Sequence, residues 1–89
     1  MAVHVYISGF VQGIGFRQFL KNNARKLNIK GWVKNLPDGR VEAMFAGDQS
    51  NIKTMVEFCR KGPFLAEVKN VETEEIEDQE FEDFEIIKD

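Results

Sequence analysis

Thiol, imidazole and metal chemistry have little to work with in this sequence, which holds one cysteine, Cys59, and one histidine, His4. A lone thiol cannot close an internal disulfide, and a cage of His and Cys ligands cannot be assembled from one copy of the chain. The acids after residue 72 lack the spaced oxygen ligands and central glycine of a calcium loop. No apolar run approaches the roughly 20 residues that a membrane-spanning helix requires. The first ten residues have no basic lead-in and have the pattern of a strand rather than a secretory signal. There is no internal repeat, low-complexity tract or linker-like stretch. The length predicts a single domain over residues 1–89, with a compact monomer as the default, and these absences predict a cytoplasmic protein held together by packing, with no membrane partner and no His/Cys metal cage.

What is present is an ordinary globular balance, with 43% hydrophobic and 30% charged residues. The net charge of −3 conceals an asymmetry. Residues 1–40 carry Arg17, Lys21, Arg25, Lys26, Lys30, Lys34 and Arg40 against Asp38 alone, a net of +6, which leaves −9 for residues 41–89. A basic half concentrates small anions near it, although solvated helix faces would give the same count. The acidic stretch from Glu72 to Glu85 argues against a nucleic-acid surface.

The periodicities follow one another in a definite order. Val3, Val5 and Ile7 alternate with His4, Tyr6 and Ser8 as in a half-buried strand. Phe16, Phe19, Leu20, Ala24 and Leu27 recur at helical spacing, with an end expected between Asn28 and Gly31. Trp32 and Val33 begin a second strand, and Leu36-Pro37-Asp38-Gly39 turns the chain into Val41, Ala43 and Phe45. Asp48 or Ser50 caps a second helix, with Ile52, Met55, Val56 and Cys59 on its apolar stripe, Phe58 widening it, and Gly62-Pro63 closing it. Val68, Val71 and Ile76 predict a fourth strand of irregular register. Phe84, Ile86 and Ile87 predict a fifth, with Asp78 to Glu82 turning between the two. The fold class expected is α+β: a ferredoxin-like βαββαβ sandwich, an antiparallel sheet with two helices on one face and a C-terminal edge strand. Glu80, Glu82, Asp83 and Glu85 would keep that edge from pairing with another chain.

Between the first strand and the first helix lies Val11-Gln12-Gly13-Ile14-Gly15-Phe16-Arg17. Gly13 and Gly15 open positive φ to the backbone and leave no Cβ in a ligand's way. The helix start offers N–H groups and partial positive charge, and Arg17 adds a guanidinium fork matched to phosphate oxygens. A tight turn beside a solvated arginine would show the same residues. A nucleophile with its base, a metal cluster and paired catalytic carboxylates are all missing. His4 falls on the polar side of its strand, and Cys59 on the apolar stripe of its helix, where packing explains it.

The loop resembles half of the acylphosphatase pattern. Gly31-Trp32-Val33-Lys34-Asn35-Leu36-Pro37-Asp38-Gly39-Arg40-Val41-Glu42 resembles the other half, with Gly47 where that family's closing glycine is expected. Gly62-Pro63, Ala66-Glu67-Val68 and Phe84-Glu85-Ile86 extend the likeness over nearly the whole chain. The resemblance implies metal-independent hydrolysis of acyl phosphates to a carboxylate and inorganic phosphate. It implies catalytic roles for Arg17, which binds the phosphate, and for Asn35, which orients the attacking water. Gln12, Gly13, Ile14, Gly15 and Phe16 would supply main-chain donors. By position alone, Asn35 is also an ordinary polar residue before a turn. Ile14 stands where valine is more usual, and Phe10 at the loop mouth could bias acyl-group preference. Such chemistry suits a chain without base or metal, because the leaving carboxylate needs no proton and the phosphoryl charge can be met by amides and one arginine. Two other functions fit the same element order: a non-catalytic anion-binding module, and an RNA-binding domain with Tyr6 on the open sheet face. The third strand, Val41-Glu42-Ala43-Met44-Phe45, lacks the basic-glycine-aromatic motif of the latter.

Overall fold

The alternation of Val3, Val5 and Ile7 with polar neighbours forms strand β1 (Ala2–Phe10) in the computed structural model, which describes residues 1–88. Helix α1 (Phe16–Lys26) buries Phe16, Leu20 and Ala24, three positions four apart on one face. It stops where Asn28 enters the left-handed region at φ 55°, and Arg25 and Lys26 place positive charge at its C-terminal end. Strands β2 (Lys30–Asn35) and β3 (Val41–Ala46) form a hairpin closed by the Leu36 N–H donating to the Arg40 carbonyl at 2.8 Å. Asp48 caps helix α2 (Gln49–Lys61) by position, but its carboxylate accepts from the Ser50 hydroxyl at 2.7 Å instead of from a backbone amide. Strands β4 (Glu67–Ile76) and β5 (Phe84–Ile87) complete the chain.

The sheet runs β4-β1-β3-β2-β5. Both helices lie on one face, against a core that includes Val5, Ile7, Leu20, Val33, Val41, Phe45, Met55 and Phe84. This is the expected α+β ferredoxin-like arrangement with an added edge strand. The sheet is mixed rather than wholly antiparallel, because β5 pairs in parallel with β2. The physical reason lies in the connection. Residues 77–83 do not make a hairpin turn; they arch across one end of the sheet from the β4 edge to the opposite edge. The chain reverses there, and β2 already runs opposite to β4, so β5 must lie parallel to β2. The arch is pinned by the Lys30 ammonium donating to the Glu82 carbonyl and by the Gly31 N–H donating to the Asp83 carbonyl, each at 3.0 Å.

The irregular register of the fourth strand has a simple cause. Ser8 pairs with Asn70 but Gly9 with Val68, so Lys69 is an extra residue in a β-bulge. Val68 and Val71 are three apart and would point to opposite faces of a regular strand. The bulge turns both toward the helices, where Val71 joins the core and Val68 packs against it.

A candidate phosphate cleft at the mouth of the first helix

The loop after β1 is anchored at both ends by buried apolar side chains. Val11 is 1% and Phe16 2% exposed, while Gly13 and Gly15 between them face solvent. These two glycines have φ of 78° and 80°, and a Cβ added at either would meet nothing within 4 Å. Conformation, not crowding, is therefore what demands glycine here. Gly15 is the N-cap of α1, with its carbonyl accepting from the Phe19 N–H at 2.9 Å. The first turn of a helix presents its N–H groups beyond the N-terminus, toward an incoming anion. The Gln12 carboxamide reaches across the sheet end and donates to the carbonyls of Leu36 and Arg40, both at 2.8 Å. That pair of bonds ties the loop to the β2–β3 hairpin, and so to Asn35.

One open cleft of about 680 Å³ results, lined by Val11, Gly13, Gly15, Phe16, Arg17, Gln18, Asn35, Ile86 and Lys88. Of the residues singled out in the sequence, Gly13, Gly15, Phe16, Arg17 and Asn35 meet in it. Asn35 reaches it because it lies two residues beyond buried Val33 and so shares the helix-covered face of the sheet. Gln12 and Ile14 do not line the cleft. Gln12 spends its side chain on the hairpin, and Ile14 packs partly buried against the core. Phe10 is 59% exposed and is likewise not part of the wall.

Sequence reasoning missed Gln18, Ile86 and Lys88. Gln18 follows Arg17 in the first helical turn and was legible as such. Ile86 and Lys88 continue the alternation begun by buried Phe84, but only the pairing of β5 beside β2 brings them to the site.

The remaining reactive groups are engaged elsewhere. His4 Nε2 lies 2.6 Å from the Glu42 carboxylate on the open sheet face, away from the cleft. The Lys34 ammonium stands 3.6 Å from the same carboxylate and 5.5 Å above the Trp32 ring, and the Arg40 guanidinium is 4.7 Å over the Tyr6 ring. The Tyr6 phenol is raised above its usual pKa, first by desolvation and then by the charge and hydrogen bond of Glu42. Aromatic rings on this face are thus already covered by the protein's own cations, beside carboxylates that would repel a nucleic-acid backbone. Cys59 is fully buried, and burial pushes its thiol well above the ordinary value, so it is no nucleophile at neutral pH. Among the described residues, no three His, Cys, Asp or Glu side chains are grouped so as to hold a metal ion.

The acylphosphatase family model matches residues 3–86. The chain belongs to the acylphosphatase family. An acylphosphatase of Archaeoglobus fulgidus is 44% identical over 86 residues, covering 97% of this chain and 97% of that one. One of Syntrophobacter fumaroxidans is 53% identical over 72 residues, or 81% of this chain and 74% of the relative. The acylphosphatase structure from Coxiella burnetii superimposes with a TM-score of 0.94 at 40% identity, over 97% of this chain and 90% of that one. Family and relatives mark this acylphosphatase-family protein as an enzyme that hydrolyses acyl phosphates.

Proposed function

We propose that Arg17 and the main-chain amides of the loop where it lines the cleft, at Gly13, Gly15 and Phe16, grip the phosphoryl group of an acyl phosphate while Asn35 holds the attacking water. The observation that supports this reading is the single cleft that gathers Gly13, Gly15, Phe16 and Arg17 from the loop and helix mouth with Asn35 from a strand 18 residues beyond Arg17. The amides and the guanidinium meet charge that spreads over the phosphoryl oxygens as the reaction proceeds. The Asn35 carboxamide has an acceptor for a water proton and donors besides, so it can fix a water on the side of phosphorus opposite the leaving group. The water oxygen forms a bond to phosphorus as the bond from phosphorus to the acyl oxygen breaks. The electron pair leaves with the carboxylate, and the water proton passes to a phosphoryl oxygen. No general acid is needed, because a carboxylate is stable as it departs.

The same reading has the 89 residues acting as one unit, a monomer in the cytoplasm without metal or cofactor. One shared core and a buried lone thiol support it, and no described helix is long and apolar enough to cross a membrane.

Hydrolysis of benzoyl phosphate in the presence of a chelator tests the assignment. Arg17→Ala should lose both phosphate affinity and turnover, the latter on the order of 1000-fold. Asn35→Ala should lose about 100-fold or more in turnover while retaining affinity for inorganic phosphate. An Asn35→Ala enzyme as fast as the unmodified one would falsify the role given to that residue. An unmodified protein that bound phosphate but left benzoyl phosphate intact would be an anion-binding module instead.

A further inference from the structure

We propose that Lys88 is a second cationic ligand of the phosphoryl group, delivered to the cleft by the C-terminal strand. The inference rests on the phosphate site described above but not on the reaction assigned to it. Strand β5 pairs in parallel with β2 in the order Gly31 with Phe84, Trp32 with Glu85, Val33 with Ile86 and Lys34 with Ile87. Continued by one residue, this register sets Lys88 level with Asn35. Side chains on a strand alternate, and Phe84 is buried with Ile86 packed against the core, so Lys88 falls on that same helix-covered face. The cleft wall agrees: it includes Ile86 and Lys88 but neither Glu85 nor Ile87.

Charge makes the placement consequential. Arg17 and Lys88 are the two cations in the wall, and no carboxylate lines it among the described residues. Lysine provides a mobile point charge with three donors, which complements the fixed fork of Arg17 around a dianion. The side chain is exposed and lies at the rim of an open cleft, so its effect belongs to the range of solvent-screened pairs rather than buried ones. An affinity contribution of about two- to fivefold is expected. Its sign is fixed by charge alone, which a bulky or merely packing role would not reproduce.

The test is direct binding of inorganic phosphate by titration calorimetry at low ionic strength, run in parallel with benzoyl phosphate turnover. Lys88→Gln should weaken phosphate binding about two- to fivefold, and Lys88→Arg should retain it. The difference between wild type and Lys88→Gln should shrink as salt is added, because an exposed charge is screened over roughly 10 Å at 0.1 M. Equal affinities for wild type and Lys88→Gln at low salt would overturn the proposal, as would a loss shared equally by Lys88→Arg or one that salt leaves untouched. Failure of the unmodified protein to hydrolyse benzoyl phosphate would count against the enzymatic reading only. A Lys88-dependent phosphate affinity would stand in that case.

Discussion

Two residues show how burial and backbone geometry, rather than contacts, set local behaviour. Gly15 sits at φ 80° with open space where a side chain would go. Gly15→Ala should therefore destabilise the fold by about 1–2 kcal/mol through left-handed backbone strain alone. It should weaken phosphate binding as well if the loop relaxes to escape that strain; denaturant titration and calorimetry measure the two effects separately. Cys59 gives the opposite case, a reactive side chain silenced by its surroundings. Its thiol is fully buried and held protonated by desolvation. Native protein at neutral pH should resist a disulfide-exchange reagent that labels the thiol readily in denaturant. Rapid labelling of the folded protein would show that α2 does not seal this position.

At the level of elements, the short strand β5 holds its place through the arch that leads into it. Asp83 is the pivot of that arch: its carboxylate accepts the Phe84 N–H at 2.8 Å and lies 3.5 Å from the Arg25 guanidinium. The backbone hydrogen bond first, and Arg25 and Lys21 after it, lower the Asp83 pKa. A carboxyl whose pKa is lower folded than unfolded contributes stability above its unfolded value, and loses it as pH falls through the folded one. The unfolded value lies near 3.8, so the loss should appear below about pH 4. Asp83→Asn should flatten this part of the stability profile while keeping much of the neutral-pH stability, since its amide oxygen can still accept the Phe84 N–H. Chemical denaturation between pH 2 and 7 would reveal it, and an unchanged acid slope would remove Asp83 from the account. Beyond the arch, Phe84 stacks on Phe45 with ring centroids 5.9 Å apart, which joins the edge strand to the centre of the sheet. A chain of edge-on contacts from Phe16 through Phe19 to Phe58 joins the two helices in the same way.

For the molecule as a whole, the cleft is a product of three distant segments: the loop after β1 running into the first turn of α1, the end of β2 and the end of β5. A site assembled this way exists only in the folded state, so phosphate should stabilise the entire fold. At a concentration 100 times the dissociation constant, the gain is about 2.7 kcal/mol for a single site. The thermal midpoint should rise with added phosphate in the unmodified protein and stay fixed in Arg17→Ala. A midpoint that rose equally in both would place the phosphate elsewhere.

The sequence determined by itself whatever depends on neighbours along the chain. Periodicity gave strands and helices their extents, because the face a residue occupies follows from its spacing. The paired glycines and Arg17 lie close together along the chain and the second motif singles out Asn35, and the fold gathers all four residues in one cleft. Tertiary structure decided what depends on pairing across the sheet. Val68 and Val71 share a face only because Lys69 bulges out, which their odd spacing could not show. The Gln12 side chain braces the hairpin through two carbonyls far along the sequence, a contact no neighbour along the chain reveals. Lys88 reaches the cleft only because an arch of residues 77–83 lays the last strand beside β2, and no local pattern encodes which edge of a sheet a terminal strand will choose.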